Sequence, residues 1–223
     1  MMKRICTAAA LAAALIGGAA SAATVNTTYQ VDGNPFGADN LRQVVRVNSP
    51  GLTANVYAGL FQMSGDNGFG DFAAFCVDLA ESLRDPVTYT TQPNLFESSV
   101  QQNIAKLYNS VLGGRTVAEV IDTSLEAASF QVALWEIVTE TGTSLDVAEG
   151  AFRVSNNTGV ANLAQSYLDN IENAVTDGYE VTYLYSDGYQ DLATVAPVPV
   201  PAAGLLLLSG FGGLAMLRRR KKT

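Results

Sequence analysis

Two short segments contain a thiol and a side-chain amide, the two groups from which an internal thioester could form. The first is Phe75-Cys76-Val77-Asp78, and the second is FQVALWE at residues 130–136, with Gln131 at its second position. A thiolate that attacks a side-chain amide expels ammonia and leaves a thioester, which survives only where water is excluded. A cysteine and a glutamine that meet in a dry pocket could therefore form such a bond.

Together these segments resemble the thioester domains of bacterial surface adhesins. In that family a cysteine after an aromatic residue bonds to the glutamine of a Thr-Gln-x-x-Ile-Trp-like motif. The resemblance implies that Cys76 supplies the sulfur and Gln131 the acyl carbon. Phe130 stands where the family has a hydroxyl residue, and Leu134 stands where it has isoleucine.

The spacing around the pair supports a dry, proton-handling site. Gln131 and Trp135 are four residues apart, so on a helix the indole can lie over the amide. Asp78 follows Cys76 by two residues, so on a strand its carboxylate would face the same side as the sulfur and could handle protons. The bond could then acylate an amine on a host, a neighbouring cell or a matrix polymer.

A purely structural interpretation of the same residues stays open. A free cysteine commonly packs as a small apolar side chain, and a tryptophan on an apolar helix face is usually core. Gln131 would then only form hydrogen bonds to a neighbouring strand.

Histidine is absent from the 223 residues. This excludes Ser-His-Asp and Cys-His catalysis, histidine-liganded zinc and the usual general base near neutral pH. We therefore predict that the protein is not an enzyme and uses no cofactor. Residues 65–71, GDNGFGD, lack the ligand spacing of a calcium loop and predict a turn, so no metal is expected.

Two further groups invite a carbohydrate interpretation. Glu136 and Glu140 lie four apart on a predicted helix, where such a pair usually forms a solvated surface instead of a glycosidase site. Tyr183, Tyr185 and Tyr189 could line a sugar-binding face, or could belong to a solvated strand edge.

The apolar periodicity predicts an α+β fold in which antiparallel β-sheet or sandwich packs with a layer of two to three helices. Predicted helices cover residues 98–112, 116–139 with a break near 123–124, and 160–175. The first two should pack as a hairpin against the sheet. Predicted strands cover residues 24–31, 41–48, 54–63, 72–79, 88–91, a pair within 144–155, and 180–185.

The N-terminus has the form of an export signal. Lys3 and Arg4 precede an apolar stretch, and Ala20-Ser21-Ala22 is a small-x-small site for signal peptidase. We predict a signal peptide at residues 1–22 and an exported domain at residues 23–195.

The C-terminus has three parts. Residues 196–202 include Val198-Pro199-Val200-Pro201-Ala202, where alternating prolines favour an extended strip. The apolar run at residues 203–217 follows; counted from Pro201 it has 17 residues, which is just enough for a spanning helix. The third part is a basic cluster, which marks residues 218–223 as a cytoplasmic tail. Its members are Arg218, Arg219, Arg220, Lys221 and Lys222.

This order resembles the VPLPA-CTERM variant of the PEP-CTERM sorting signals, with Val200 in place of the usual leucine. The resemblance implies processing by an exosortase-type membrane enzyme in a Gram-negative bacterium that exports polysaccharide. The protein would cross the inner membrane, stay anchored through its C-terminal helix, and reach the cell surface.

Six basic and 21 acidic residues lie between the two predicted signals, so the exported part has a net charge of −15. Such a surface repels nucleic acid, which we exclude as a partner. The sequence predicts a surface or exopolysaccharide-matrix protein that adheres through a thioester to an amine-bearing ligand. The alternative is a noncovalent carbohydrate- or protein-binding module with an uncleaved anchor.

Overall fold

The computed structural model describes residues 22–140, 142 and 144–197. The predicted signal peptide, apart from Ala22, lies outside these residues, and so do Val198, Pro199, Val200, Pro201 and Ala202, the span at 203–217 and the basic tail. Among the described residues, no helix has the length and apolar character needed to cross a bilayer.

Strands and helices alternate irregularly along the described chain. The strands are β1 (Thr24–Tyr29), β2 (Arg42–Ser49), β3 (Leu52–Gly59), β4 (Phe61–Gly65), β5 (Gly70–Cys76), β6 (Val87–Gln92), β7 (Arg153–Val154), β8 (Tyr179–Tyr185) and β9 (Leu192–Pro197). The helices are α1 (Ser98–Leu112), α2 (Val117–Val120), α3 (Ser124–Thr139) and α4 (Thr158–Asp169).

Six strands close into an antiparallel barrel in the order β1-β4-β5-β9-β8-β6, and β3-β2-β7 form a separate small sheet. The predicted mixture of helix and antiparallel strand is confirmed, but the main sheet is a barrel instead of an open sheet or sandwich. Closure depends on pairings between distant segments, such as Thr24 with Thr90 and Cys76 with Leu192. Closing the sheet pairs the edges that an open sheet would expose.

The predicted strand at residues 54–63 is two strands in different sheets. β3 ends at Gly59 and β4 begins at Phe61, so the chain passes from the small sheet to the barrel at Leu60. At Gly59 an added Cβ would lie 2.3 Å from the carbonyl oxygen of Leu41. Only glycine allows the backbones to approach this closely at the crossing.

Helix α3 lies at the centre of the molecule. Its residues 127–137 are all buried, and it packs against α4, α1, the β2–β3 hairpin and barrel strand β5. The Thr123 capping box with Glu126 starts the helix, as the predicted break near this position requires. Helix α1 matches its predicted limits, and its C-cap is Gly113 in the left-handed conformation. Its N-cap is Glu97, whose side chain makes no capping hydrogen bond. The expected hairpin of α1 and α3 is a minor contact, because α4 and the small sheet cover more of α3.

Two other predicted elements are wrong in extent. Residues 144–155 form turns instead of a strand pair, and only Arg153–Val154 pairs with β2. Phe152 and Val154 are nevertheless buried. The third helix ends at Asp169 instead of residue 175, with Asn157 as its N-cap.

An aromatic cluster joins the barrel to the helices. The ring of Phe130 on α3 lies 4.5 Å from that of Phe75 on β5 and 4.8 Å from that of Tyr108 on α1. All three side chains are buried. The contacts fix α3 against the barrel strand that ends at Cys76.

We predict that Phe130→Ala lowers the free energy of unfolding by about 3–5 kcal/mol, because it removes a fully buried ring and leaves a cavity. Urea denaturation would measure the change. Val175→Ala is the matched control, since Val175 is 61% exposed and its truncation should stay within about 0.5 kcal/mol. A similar cost for both variants would contradict the central place of Phe130.

Candidate functional site

Cys76 is the last residue of β5, where it pairs with Leu192 of β9. Its side chain is 1% exposed. Cys76 is the free cysteine of the described chain. The barrel wall therefore places the thiol inside the protein, against the helical layer.

Gln131 of α3 meets the backbone of this cysteine. Its Oε1 accepts a hydrogen bond from the Cys76 backbone N–H at 2.9 Å, and its Nε2 donates to the Cys76 carbonyl oxygen at 2.8 Å. Gln131 is 1% exposed. The two predicted thioester residues thus lie together in a buried pocket, with the amide group held against the residue that bears the thiol.

The thiol itself is strongly protonated. Burial raises the pKa of Cys76 to about 12, and the nearby charges of Asp78 and Asp191 add to the shift. The Sγ donates a hydrogen bond to the backbone oxygen of Asp78 at 2.7 Å, and this bond offsets part of the rise in the pKa of Cys76. A thiol with this pKa is a weak nucleophile at neutral pH. It therefore reacts slowly with oxidants and alkylating agents in solution.

Trp135 lies beside the same sulfur. Its indole N–H lowers the pKa of Cys76, which places it next to Sγ. The Nε1 nevertheless makes no hydrogen bond of ordinary geometry with any described residue. The ring is almost fully buried and packs near Phe152, so it keeps water from the thiol.

The predicted role of Asp78 needs correction. Strand β5 ends at Cys76, so Asp78 lies in the following loop and does not share a strand face with the sulfur. Its backbone carbonyl contacts the thiol, whereas its carboxylate accepts a hydrogen bond from the backbone N–H of Ala80. Asp78 thus shapes the loop instead of presenting its carboxylate to the sulfur.

Gln190 and Asp191 belong to this site and were not predicted. The Gln190 side chain donates to the carbonyl oxygens of Asp78 and Glu81, both at 3.2 Å. The Asp191 backbone oxygen accepts from the N–H of Val77 at 3.0 Å, and burial raises the pKa of the Asp191 carboxyl to about 6. Both residues come to Cys76 only because β9 pairs with β5, and no local sequence pattern signals that pairing.

The prediction that Glu136 and Glu140 form a solvated surface pair is wrong. Glu136 is 0% exposed, and its Oε1 accepts from the backbone N–H of Asp146 at 2.8 Å. Glu140 accepts from the N–H groups of Gly142 and Ala151, both at 2.7 Å. The two carboxylates therefore fix the turn region after α3, which explains why this region forms no strand pair.

The other groups considered from the sequence have structural roles or separate positions. In the turn at residues 65–71, the Asp66 carboxylate accepts two hydrogen bonds from Asn26. Tyr183 is buried against Phe96, while Tyr185 and Tyr189 are partly exposed, so the three tyrosines do not form one face. Within residues 22–140, 142 and 144–197, no group of three or more His, Cys, Asp or Glu side chains is placed to hold a metal ion.

Comparison with known proteins does not add a relative. No protein-family model matches the chain, and neither curated proteins nor solved structures show a significant match. Inference about function must therefore start from the geometry of the site.

We predict that Glu136 makes the protein less stable as the pH rises from about 4.5 to 7. Burial, opposed in part by the Asp146 hydrogen bond, raises the pKa of Glu136 to about 7. In that pH window the unfolded carboxyl is ionised while the folded one stays protonated, so ionisation favours unfolding. The cost is fully present above pH 7, with an upper limit of about 3 kcal/mol.

Glu136→Gln should remove this cost, because an amide remains neutral and still accepts from Asp146. Urea unfolding of both proteins between pH 4 and pH 8 would show a difference that grows with pH. Glu119→Gln is the matched control with the opposite sign, since hydrogen bonds to Thr116 lower the pKa of Glu119. A pH-independent difference for Glu136→Gln would contradict the assignment.

Proposed function

We propose that the protein is an exported surface protein that captures an amine-bearing ligand through a thioester between Cys76 and Gln131. The observation that supports this most is the pair of hydrogen bonds that holds the Gln131 amide on the Cys76 backbone. The amide carbon is thereby kept next to the residue that bears the thiol, in surroundings without water access. Such positioning removes much of the entropic cost of a bond-forming step.

The chemistry balances within the pair. The Cys76 sulfur attacks the Gln131 amide carbon, the C–N bond breaks, and the thiol proton leaves with the nitrogen as ammonia. Negative charge that develops on Oε1 is stabilised by the Cys76 N–H, which already donates to this atom at 2.9 Å. A ligand amine then attacks the acyl carbon, forms an amide with Gln131, and returns the proton to the Cys76 sulfur.

The high pKa of the thiol sets a condition on this step. At neutral pH a small fraction of Cys76 is ionised, so bond formation is slow and depends on the long residence of the amide on the Cys76 backbone. The same burial protects the product from hydrolysis. The proposed thioester is therefore formed once, during or after folding, and used once.

The competing function is noncovalent binding of a carbohydrate or protein on the same scaffold. One observation favours it: the Gln131 amide and the Cys76 thiol both have hydrogen-bond partners within the protein. In that case Gln131 is a structural link between α3 and the barrel. The two functions differ in the mass of the protein.

Intact mass of freshly purified protein, produced from the full-length sequence, tests capture once its two termini have been identified. We predict a chain lighter by one ammonia than the mass calculated between those termini, and a methylamine adduct on Gln131 after incubation with methylamine. Cys76→Ala should have the full mass and take up no amine. Gln131→Glu is the matched control, because it keeps the side-chain shape but offers no amide nitrogen to lose. A full mass in fresh, unreacted wild-type protein would refute capture.

The proposal includes delivery to the surface by the export signal at residues 1–22 and the sorting signal at residues 196–223. Its support is the order of the proline strip, apolar run and basic cluster in the sequence. Signal peptidase, an exosortase-type enzyme and the inner membrane would be the partners in this delivery. The acidic domain at residues 23–195 would then lie on the outer surface of the cell.

Fusion reporters test this topology. A reporter that is active only outside the cytoplasm should be active when inserted after Ala23 and inactive when fused after Thr223. The physical reason is that the basic cluster stays on the cytoplasmic side of the membrane. Replacing the five cations Arg218, Arg219, Arg220, Lys221 and Lys222 with serine should weaken this asymmetry. An active reporter at the C-terminus of the unaltered protein would contradict the topology.

A further inference from the structure

A cleft lies on the outer side of Trp135. It has a volume of about 460 Å³, and five aromatic side chains line it, together with Glu81 and Gln190: Tyr29, Phe36, Tyr57, Phe61 and Trp135. We call this feature the aromatic cleft. Tyr57 is 53% exposed, so the cleft opens to solvent at this side chain.

The aromatic cleft is separated from the candidate thioester by a single layer of protein. Trp135 belongs to both, because its ring lines the cleft while its indole N–H lies beside the Cys76 sulfur. The loop after Cys76 forms the rest of the layer. There the Asp78 carbonyl oxygen accepts hydrogen bonds from the Cys76 thiol on one side and from the cleft residue Gln190 on the other.

The same layer is held in place mainly by Gln190. Its side chain bonds the carbonyl oxygens of Asp78 and Glu81, and its backbone N–H bonds that of Ser82. Because Cys76 is 1% exposed, a ligand in the cleft reaches the acyl group only when this loop moves. The aromatic cleft lies directly against this loop, so movement of the loop would connect the cleft with the buried pair.

The charge around the cleft favours a cation. Glu81 lines it, and the carboxylates of Asp78 and Asp191 act on the adjacent thiol. Two guanidinium groups, those of Arg84 and Arg42, oppose these negative charges. Near Tyr29 the carboxylate of Asp85 offsets the charge of Arg84. The exported part as a whole has a net charge of −15, with six basic and 21 acidic residues.

Arg42 also shows how the aromatic rings of the cleft accept a cation. Its guanidinium carbon lies 4.0 Å from the centre of the Tyr57 ring and 4.8 Å from that of Phe36. Aromatic faces attract cations through their quadrupole, and they also bind flat apolar groups. A ligand with both an ammonium group and an aromatic or apolar stem matches this lining.

We propose that the aromatic cleft is the docking site for the captured ligand, and that it selects a primary amine on an aromatic or apolar stem. The inference rests on the proposed capture function and adds the class of ligand to it. The stem packs on Tyr29, Tyr57 and Phe61, and the ammonium group lies toward Glu81. The ammonium loses one proton to solvent, and the free amine attacks the Gln131 acyl carbon. The C–S bond breaks, and the second amine proton passes to the Cys76 sulfur.

Binding without chemistry is the first test. In the full-length Cys76→Ala protein, tyramine should bind at least about tenfold more tightly than tyrosol, its neutral analogue, by calorimetry. Tyr57→Ala and Glu81→Gln should each weaken tyramine binding several-fold. The matched controls Tyr185→Ala and Glu149→Gln alter exposed residues that do not line the cleft, and they should leave binding unchanged.

Rates of adduct formation are the second test. With the wild-type protein, the tyramine adduct on Gln131 should form at least about tenfold faster than the methylamine adduct at equal free-amine concentration. Tyr57→Ala and Glu81→Gln should reduce this preference, with both controls at the wild-type rate.

The outcomes separate the two proposals. A chain that has lost ammonia but reacts equally with both amines, with no effect of the cleft variants, overturns the cleft and leaves capture intact. A chain of full mass whose Cys76→Ala form still binds tyramine through Tyr57 and Glu81 overturns capture and leaves the cleft as a noncovalent site. Equal binding of tyramine and tyrosol would overturn the selection of an amine.

Discussion

The structure depends on covering one helix from every side. Residues 127–137 of α3 are all buried, and a helix without a solvent face must have partners around its whole circumference. The barrel, the β2–β3 hairpin, α1 and α4 supply them. The chain therefore needs two sheets instead of one, and it crosses between them at Leu60 so that both can pack on the same helix.

Burial of α3 also determines what its polar residues do. A polar group without a partner is costly inside an apolar layer, so most buried polar groups form a hydrogen bond. Gln131 finds both of its partners on the Cys76 backbone, and Glu136 finds one on Asp146. The hydrogen bonds that satisfy Gln131 in the core are thus the same ones that hold its side-chain amide on the Cys76 backbone.

Local sequence signals predicted the elements well and their assembly poorly. The limits of α1, the break before α3 and the cap at Asn157 follow from periodicity, capping residues and Gly113, which act within a few residues. Barrel closure depends on pairs such as Thr24 with Thr90, which are far apart in the chain, and alternation alone cannot specify such partners. The turns at residues 144–155 were mistaken for strands because the carboxylates that hold them lie on α3.

The same division applies to the candidate site. Cys76 and Gln131 were selected by residue type and neighbouring aromatics, and the structure places them together. The predicted role of Asp78 is wrong because β5 ends at Cys76, three residues before the end of the predicted strand at residues 72–79. Gln190 and Asp191 had no signal at all, since their position depends on β9 lying beside β5. Tertiary pairing, which a single sequence does not encode locally, determined each of these differences.

The position of β9 has a mechanical consequence. It is the last described strand, and it lies between β5 and β8 with antiparallel ladders on both sides. Tension applied to the chain beyond Pro197 acts along this strand and loads both ladders in shear, so that many hydrogen bonds must break together. Because the ladder with β5 includes Cys76, whose backbone is hydrogen-bonded to Gln131, such a load passes from β9 through the barrel wall to helix α3 by a short path.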